Sequence, residues 1–252
     1  MSVYDELHRV IDQDGRAVVL TVLSGENAGA KVLVLPDGTT VGDGPPELVA
    51  LASDALRRGH SHVLENDGVS IFADVFAPPT RLFVYGAVDT AEALCKAVKL
   101  LGWTSVVADA RARFATPERL PSADEIIVAW PEEAFAQVEP NLGTAVVVLT
   151  HDDKFDLPAL KAALESEAFY IGALGSRRNQ ERRRERLLEA GVPEATLDRI
   201  AGPCGLDIGA ASSAETALSV LAEMLATRAG RSGGPLRDSK QRIHAEPLAG
   251  RK

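Results

Sequence analysis

Short apolar runs alternate with amphipathic stretches along most of this chain, and from Arg81 onward the alternation is regular. Leu82 to Tyr85 is an apolar run short enough for a buried strand. Gly86 and a polar turn, Ala87-Val88-Asp89-Thr90, follow it. Ala91, Leu94, Cys95, Val98 and Leu101 then recur at helical spacing, which places them on one face of a helix. Gly102 ends that helix, as glycine does where the backbone turns left-handed. Ser105 to Ala108 reads as a second strand, with Asp109 at its end.

Strand, glycine turn, helix, strand and terminal acid is the order of the first βαβ unit of a nucleotide-binding Rossmann fold. The glycine permits the tight turn, the helix amino terminus offers N–H groups to phosphate, and an acid about 20 residues on accepts ribose hydroxyls. Gly86 and Asp109 supply the first and last of these. Val88 stands at the place of the middle glycine, which lets the backbone approach a pyrophosphate, and Ala91 stands at the third place. If the unit holds a dinucleotide, Asp109 predicts NAD over NADP, because an acid repels a 2′-phosphate.

Upstream, Ser2 to Asp14 reads as a capped helix, Ala17 to Leu23, Ala30 to Leu35 and Thr39 to Val41 as strands, and Pro46 or Glu47 opens a helix to Arg58. His62 to Glu65 and Val69 to Phe76 complete a mixed unit that ends at Pro78-Pro79-Thr80. Downstream, strands are expected at Glu125 to Trp130, Thr144 to Leu149 and Phe169 to Ala173. Helices are expected at Pro131 to Val138, Leu157 to Glu167, the arginine-rich stretch to Ala190, Pro193 to Ile200, and Ser213 to Thr227. Apolar runs alternating with helices predict a parallel sheet covered on both faces. The expected architecture is thus α/β: a small α+β domain over 1–78, a Rossmann-like domain over 79–229, and a flexible basic tail over 230–252.

Composition narrows the function classes. A formal net charge of -9 and 5% aromatic residues argue against nucleic-acid binding and base stacking on RNA or DNA. No apolar run approaches the length of a membrane span, and the polar, acidic start does not read as a secretory signal. Two distant cysteines, Cys95 and Cys204, make neither a disulfide framework nor a structural zinc site. The expectation is a reduced, cytoplasmic protein.

In open α/β sheets, ligands sit beyond the carboxyl ends of the strands. Four polar clusters fall there: Gly86 to Thr90, Asp109 to Arg113, Thr150 to Asp153 and Gly175 to Arg178. Thr150-His151-Asp152 sets a histidine beside an acid, suited to proton transfer or phosphate contact, or else forms a turn with a helix cap. Gly175-Ser176-Arg177-Arg178 joins helix-start N–H groups to two guanidinium forks, an anion site. Arg182, Arg183, Arg184 and Arg186 read as a solvated face balanced by Glu181, Glu185 and Glu189. The loop Gly202 to Gly209 brings backbone close to a ligand or another segment, with Asp207 accepting backbone hydrogen bonds. Cys204 reads as a small buried side chain or, alternatively, a reactive thiol. Cys95 belongs to a helix core.

The combination THDDKFDLPAL, YIGALGSRR, GPCGLDIGA and SAETALSVLAEMLA closely resembles the xanthine dehydrogenase accessory factor family (XdhC/CoxI). With the strand-turn-helix at Leu82 and the DARARFATPERLPSAD stretch, the match covers about 81–227, and GRAVVLTVLSGENAGAKVLV and TTVGDG resemble the family's first domain. The resemblance implies a cytoplasmic, oligomeric chaperone that binds the molybdenum cofactor (molybdopterin). It implies protection of the cofactor during sulfuration by a cysteine desulfurase and insertion into the apo-enzyme of a molybdenum hydroxylase of the xanthine or carbon monoxide dehydrogenase type. Proline stands at Pro45, near where the family commonly carries the cysteine of a Gly-Gly-Cys, so a thiol function would fall to Cys204 or be absent. On this reading Arg177 and Arg178 hold phosphate, and Asp109 with Thr150, His151 and Asp152 meets hydroxyl or pterin atoms. The rival readings are an NAD(P)-dependent oxidoreductase and a protein-interaction module that has lost its ligand.

Overall fold

The computed structural model describes residues 2–240. These fall into two compact units, 79–233 and 2–78 together with 234–240. Part of the expected tail, 241–252, lies outside the described residues.

In the first unit, helix α1 (Val3–Asp12) is capped by Ser2, whose hydroxyl accepts the Asp5 N–H. Strands β1 (Ala17–Val22), β2 (Lys31–Val34) and β3 (Thr40–Gly42) follow, then helix α2 (Glu47–Arg58), β4 (His62–Asn66) and β5 (Val69–Phe76). They form an antiparallel sheet in the order β3-β2-β1-β5-β4. Alternate residues of β1 face opposite ways: Val18, Leu20 and Val22 pack with Leu48, Ala52 and Leu56 of α2, while Ala17 and Val19 pack with Val10 of α1.

The second unit opens with β6 (Arg81–Tyr85), α3 (Asp89–Lys99) and β7 (Thr104–Ala108), the predicted βαβ unit. It continues with β8 (Glu125–Ile127), α4 (Pro131–Val138), β9 (Thr144–Val148), α5 (Asp153–Glu165) and β10 (Tyr170–Ala173). Helices α6 (Arg177–Glu189) and α7 (Glu194–Leu197), strand β11 (Ile200–Ala201) and helix α8 (Ser213–Ala229) complete it. All strand pairs are parallel, and the sheet order β11-β10-β9-β6-β7-β8 is the doubly wound Rossmann order. Chain direction across the sheet reverses between β6 and β9, so the ends of these two strands mark the crevice. Helices cover both faces. Phe135, Phe155, Leu160 and Leu187 of α4, α5 and α6 fill one core; Leu94, Cys95, Val98, Val220 and Met224 of α3 and α8 fill the other.

Four local expectations need correction. Strand β8 ends at Ile127, and residues to Trp130 lead instead into the proline that starts α4. Helix α5 starts at Asp153, because Asp152 caps it, and it tolerates Pro158 inside. Ile200 does not close a helix; it pairs beside Ile171 as an edge strand too short to leave a sequence period. Leu101 is 41% exposed, since α3 has already ended at Lys99.

Candidate functional site at the carboxyl rim of the parallel sheet

The strand ends after β6, β7, β9 and β10 come together, and they do so through their own hydrogen bonds. Gly86 has φ 119°, and a Cβ there would lie 3.0 Å from the Thr150 backbone nitrogen. Glycine thus lets the β6 and β9 ends touch at the crevice floor. Asp109 is 1% exposed. Its carboxylate accepts the Ala87 N–H at 2.9 Å, the Arg111 N–H at 2.9 Å, and the Arg111 guanidinium in a two-pronged pair at 2.9 and 2.8 Å. Burial pushes this carboxyl up, but the Arg111 and Ala87 hydrogen bonds outweigh it and hold the group below its ordinary value. A ribose would therefore meet an acid whose oxygens are already filled.

Helix α3 begins without a side-chain cap, and its first turn carries Asp89 and Glu92. These acids complement the helix dipole in place of a phosphate. A dinucleotide at this rim would have to compete with both features.

Behind the rim lies a buried network that sequence reasoning misplaces. Arg183, expected on a solvated face, is 2% exposed. Its guanidinium donates to Asp156 Oδ2 at 2.9 Å, to the Leu174 carbonyl at 2.7 Å and to the Thr150 carbonyl at 3.1 Å. The Thr150 hydroxyl donates to the other Asp156 oxygen. One guanidinium thereby ties the β9 end, the β10 end, α5 and α6 together. Gly175, at φ 145°, makes room: a Cβ there would stand 3.2 Å from the Arg183 side chain. The signal is present in the sequence, because Asn179, Gln180, Arg183 and Leu187 recur at helical spacing and Leu187 marks the inward face.

The remaining predicted residues are distributed as follows. Thr150 is buried, whereas His151 and Asp152 are exposed. Asp152 caps α5 by accepting the Lys154 N–H at 3.1 Å, and His151 makes no hydrogen bond among the described residues. Ser176 caps α6 by accepting the Asn179 N–H at 3.2 Å. Arg177 and Arg178 are exposed on the first turn of α6, which carries no acid, and they form no ion pair among the described residues. Asp207 is exposed and accepts no hydrogen bond among the described residues. Glu223 holds the loop instead, accepting the Gly205 N–H at 2.8 Å and the Tyr170 hydroxyl at 2.5 Å. Cys204 is 8% exposed in the α3/α8 core, and burial first, then Glu223, pushes its thiol up to about 12. A thiol so protonated is a poor nucleophile at neutral pH.

Sequence reasoning also misses an aromatic and cationic cluster on the same rim. Trp130 stands at the start of α4, 5.3 Å from the Phe155 ring. Tyr85 fixes the preceding segment by donating its hydroxyl to the Ala129 carbonyl at 3.2 Å. The Lys154 ammonium lies 5.4 Å from the Trp130 ring and 4.7 Å from that of Phe155. Arg111 lies over Phe114 at 4.5 Å and over Phe155 at 5.5 Å, and Arg113 over Phe114 at 4.6 Å. Val128 and Trp130 are exposed and Ala129 between them is buried, an alternation that turns the indole outward but that the uniformly apolar sequence does not mark.

Among the described residues, no helix is long and apolar enough to cross a membrane. Known proteins resemble this chain along most of its length. Residues 82–224 match the family model described as the XdhC Rossmann domain. The molybdenum cofactor insertion chaperone PaoD of Escherichia coli is 33% identical over 61% of this chain and 42% of its own length. A protein of Bacillus subtilis named as a probable xanthine dehydrogenase subunit is 31% identical over 63% of this chain and 46% of its own. The uncharacterized protein YqeB of Escherichia coli is 28% identical over 93% of this chain and 48% of its own. The chain thus spans about half the length of the curated relatives it matches. The crystal structure of a xanthine dehydrogenase from Bacillus halodurans has a TM-score of 0.62 at 26% identity, over 91% of this chain and 68% of that one. With more than half of its residues covered by that family model, this chain belongs to the XdhC Rossmann-domain family.

Proposed function

We propose that this protein assists the maturation of a molybdenum hydroxylase by binding the molybdenum cofactor at the carboxyl rim and aiding its sulfuration or insertion. The observation that carries this reading is the pair Arg177 and Arg178. Two guanidinium groups stand free of internal partners, among the described residues, on a helix first turn that lacks acids. Such a turn, with its dipole and N–H groups, favours an anion, and the guanidinium forks match phosphate oxygens. These residues fit the phosphate of a pterin cofactor.

The cofactor brings the metal and its redox chemistry. The chain's residues bind and orient. Arg177 and Arg178 would neutralise the phosphate, while the Arg183 clamp keeps the β10 end and α6 at fixed spacing. His151 and Asp152 are exposed at the end of β9 and are proposed to meet polar pterin atoms. Sulfur handling does not fit Cys204, whose thiol is buried and protonated. The partners on this reading are the apo-enzyme, a cysteine desulfurase and a second copy of the chain, in the cytoplasm.

The test is uptake of the cofactor by the purified protein, read as pterin fluorescence after oxidative release. Wild type should take it up, and an Arg177→Ala, Arg178→Ala double variant with an unchanged circular dichroism spectrum should retain little. No uptake by wild type at any cofactor concentration would remove the proposal.

A further inference from the structure

The first unit holds a cavity of its own. It measures about 190 Å³ and lies where the first turn of α2 meets the end of β1 and the start of β5. Its floor belongs to the core of that unit: Val22, Leu48 and Ile71 line it and all three are buried. The loop after β1 and the start of β5 are tied together beside it. The Ser70 N–H donates to the Ser24 hydroxyl at 2.9 Å, and the Leu23 N–H donates to the Ser70 carbonyl at 2.8 Å. The mouth is acidic. Glu26, Glu47 and Asp67 line it, no lysine or arginine does, and none of these acids forms an ion pair among the described residues. Glu47 stands in the first turn of α2, where it complements the helix dipole. Glu26 and Asp67 are exposed and have no such counterpart among the described residues.

An apolar hollow closed by a few polar groups is the form in which folded chains receive small molecules. A cavity of ~150 Å³ accepts benzene, so this one has room for a single six-membered ring with a short arm. The charge at the mouth selects a cation and repels phosphate. A metal ion does not fit, because no three acids, histidines or cysteines among the described residues stand close enough together to hold one. We infer that this cavity binds a small organic amine, its hydrocarbon body on Val22, Leu48 and Ile71 and its ammonium toward Glu26 and Asp67. Asn66 also lines the cavity, and its amide oxygen is a further acceptor for the ammonium. The site lies wholly within the first unit and is independent of the anion site proposed on α6.

The test uses full-length protein and phenethylamine as the probe, with 2-phenylethanol as the same body without the charge and methylammonium as the charge without the body. By calorimetry, phenethylamine should bind at about millimolar concentration or more tightly, and each control about tenfold more weakly. The methyl signals of Val22, Leu48 and Ile71 should shift in NMR spectra as phenethylamine is added. A Glu26→Gln, Asp67→Asn double variant changes two exposed side chains and keeps their shapes, and asparagine tolerates the left-handed backbone at position 67 (φ 49°). It should bring phenethylamine binding down to that of 2-phenylethanol and leave 2-phenylethanol binding unchanged. Equal affinity for phenethylamine and 2-phenylethanol in wild type overturns the inference, as does full phenethylamine affinity in the double variant. Absence of saturable binding, or binding that leaves those three methyl signals unmoved, also overturns it. None of these outcomes bears on cofactor uptake, so the proposed function stands or falls separately.

Discussion

The Arg183 guanidinium and the Asp156 carboxylate form an ion pair whose side chains are 3% and 1% exposed, with the Nε to Oδ2 distance at 2.9 Å. Taking either charge out of water is costly, and only mutual attraction plus the Thr150 and Leu174 hydrogen bonds offsets that cost. Removing one partner should leave an uncompensated buried charge. Arg183→Ala and Asp156→Ala should each destabilise the second unit by about 3–5 kcal/mol, and a double change to Met and Leu should cost less than either. Urea denaturation of the four proteins checks this. Single variants within about 1 kcal/mol of wild type, the range of a surface substitution, would show that the pair is not a clamp.

The Asp109 and Arg111 pair makes a prediction about dinucleotides. An NAD ribose would have to displace a guanidinium bonded twice to the same carboxylate, and its pyrophosphate would face Asp89 and Glu92. Calorimetry with NAD and with NADP should therefore show no binding at millimolar concentration. Asp109→Asn should not create binding; it should weaken the pair and cost about 1–3 kcal/mol of stability. Micromolar NAD affinity would mean that Arg111 swings away readily.

Much of this rim can be traced back to the sequence. Gly86, Asp109, Thr150 and Gly175 are readable as strand ends, because an apolar run that closes on a polar residue or a glycine is leaving the sheet. Their convergence follows from the chirality and order of parallel strands. What the sequence hides is which polar group is already spoken for. Asp109 looks the same in sequence whether its oxygens await a ribose or hold Arg111. Arg183 hides among neighbours of identical chemistry, and only its spacing from Leu187 sets it apart. Trp130 reads as the end of a strand because apolar character extends through it, whereas Pro131 redirects the chain into α4.

The two thiols should be silent in the folded protein. Burial raises Cys95 to about 11 and Cys204 to about 12. At about pH 8 both are protonated and shielded, so a disulfide reagent should label neither until denaturant is added, when both should react. Rapid labelling of Cys204 in native protein would reopen a sulfur-handling role.

His62 supplies a pH dependence in the first unit. Its Nε2 is buried without a hydrogen-bond partner, while its Nδ1 lies 2.9 Å from the His60 carbonyl. Burial lowers its pKa from 6.5 and outweighs the His60 carbonyl, whose hydrogen bond raises it; the charges of Arg58 and the His60 ring add to the lowering, and Asp54 opposes it. A histidine whose folded value is depressed leaves stability intact above the unfolded value and removes it as pH falls below. Stability of this unit should decline from about pH 6.5 downward, and His62→Gln should flatten that part of the curve. A wild-type melting midpoint that stays constant from about pH 7 down to about pH 5 would contradict this.

The contact between Gly86 and Thr150 has a bearing on how anything is carried. Where those two strand ends meet, they close the floor of the crevice, so a guest cannot sink between the strands themselves. A molecule held by Arg177 and Arg178 would rest above that floor, against the exposed first turn of α6. Handing it on would then need a competing surface rather than an opening hinge.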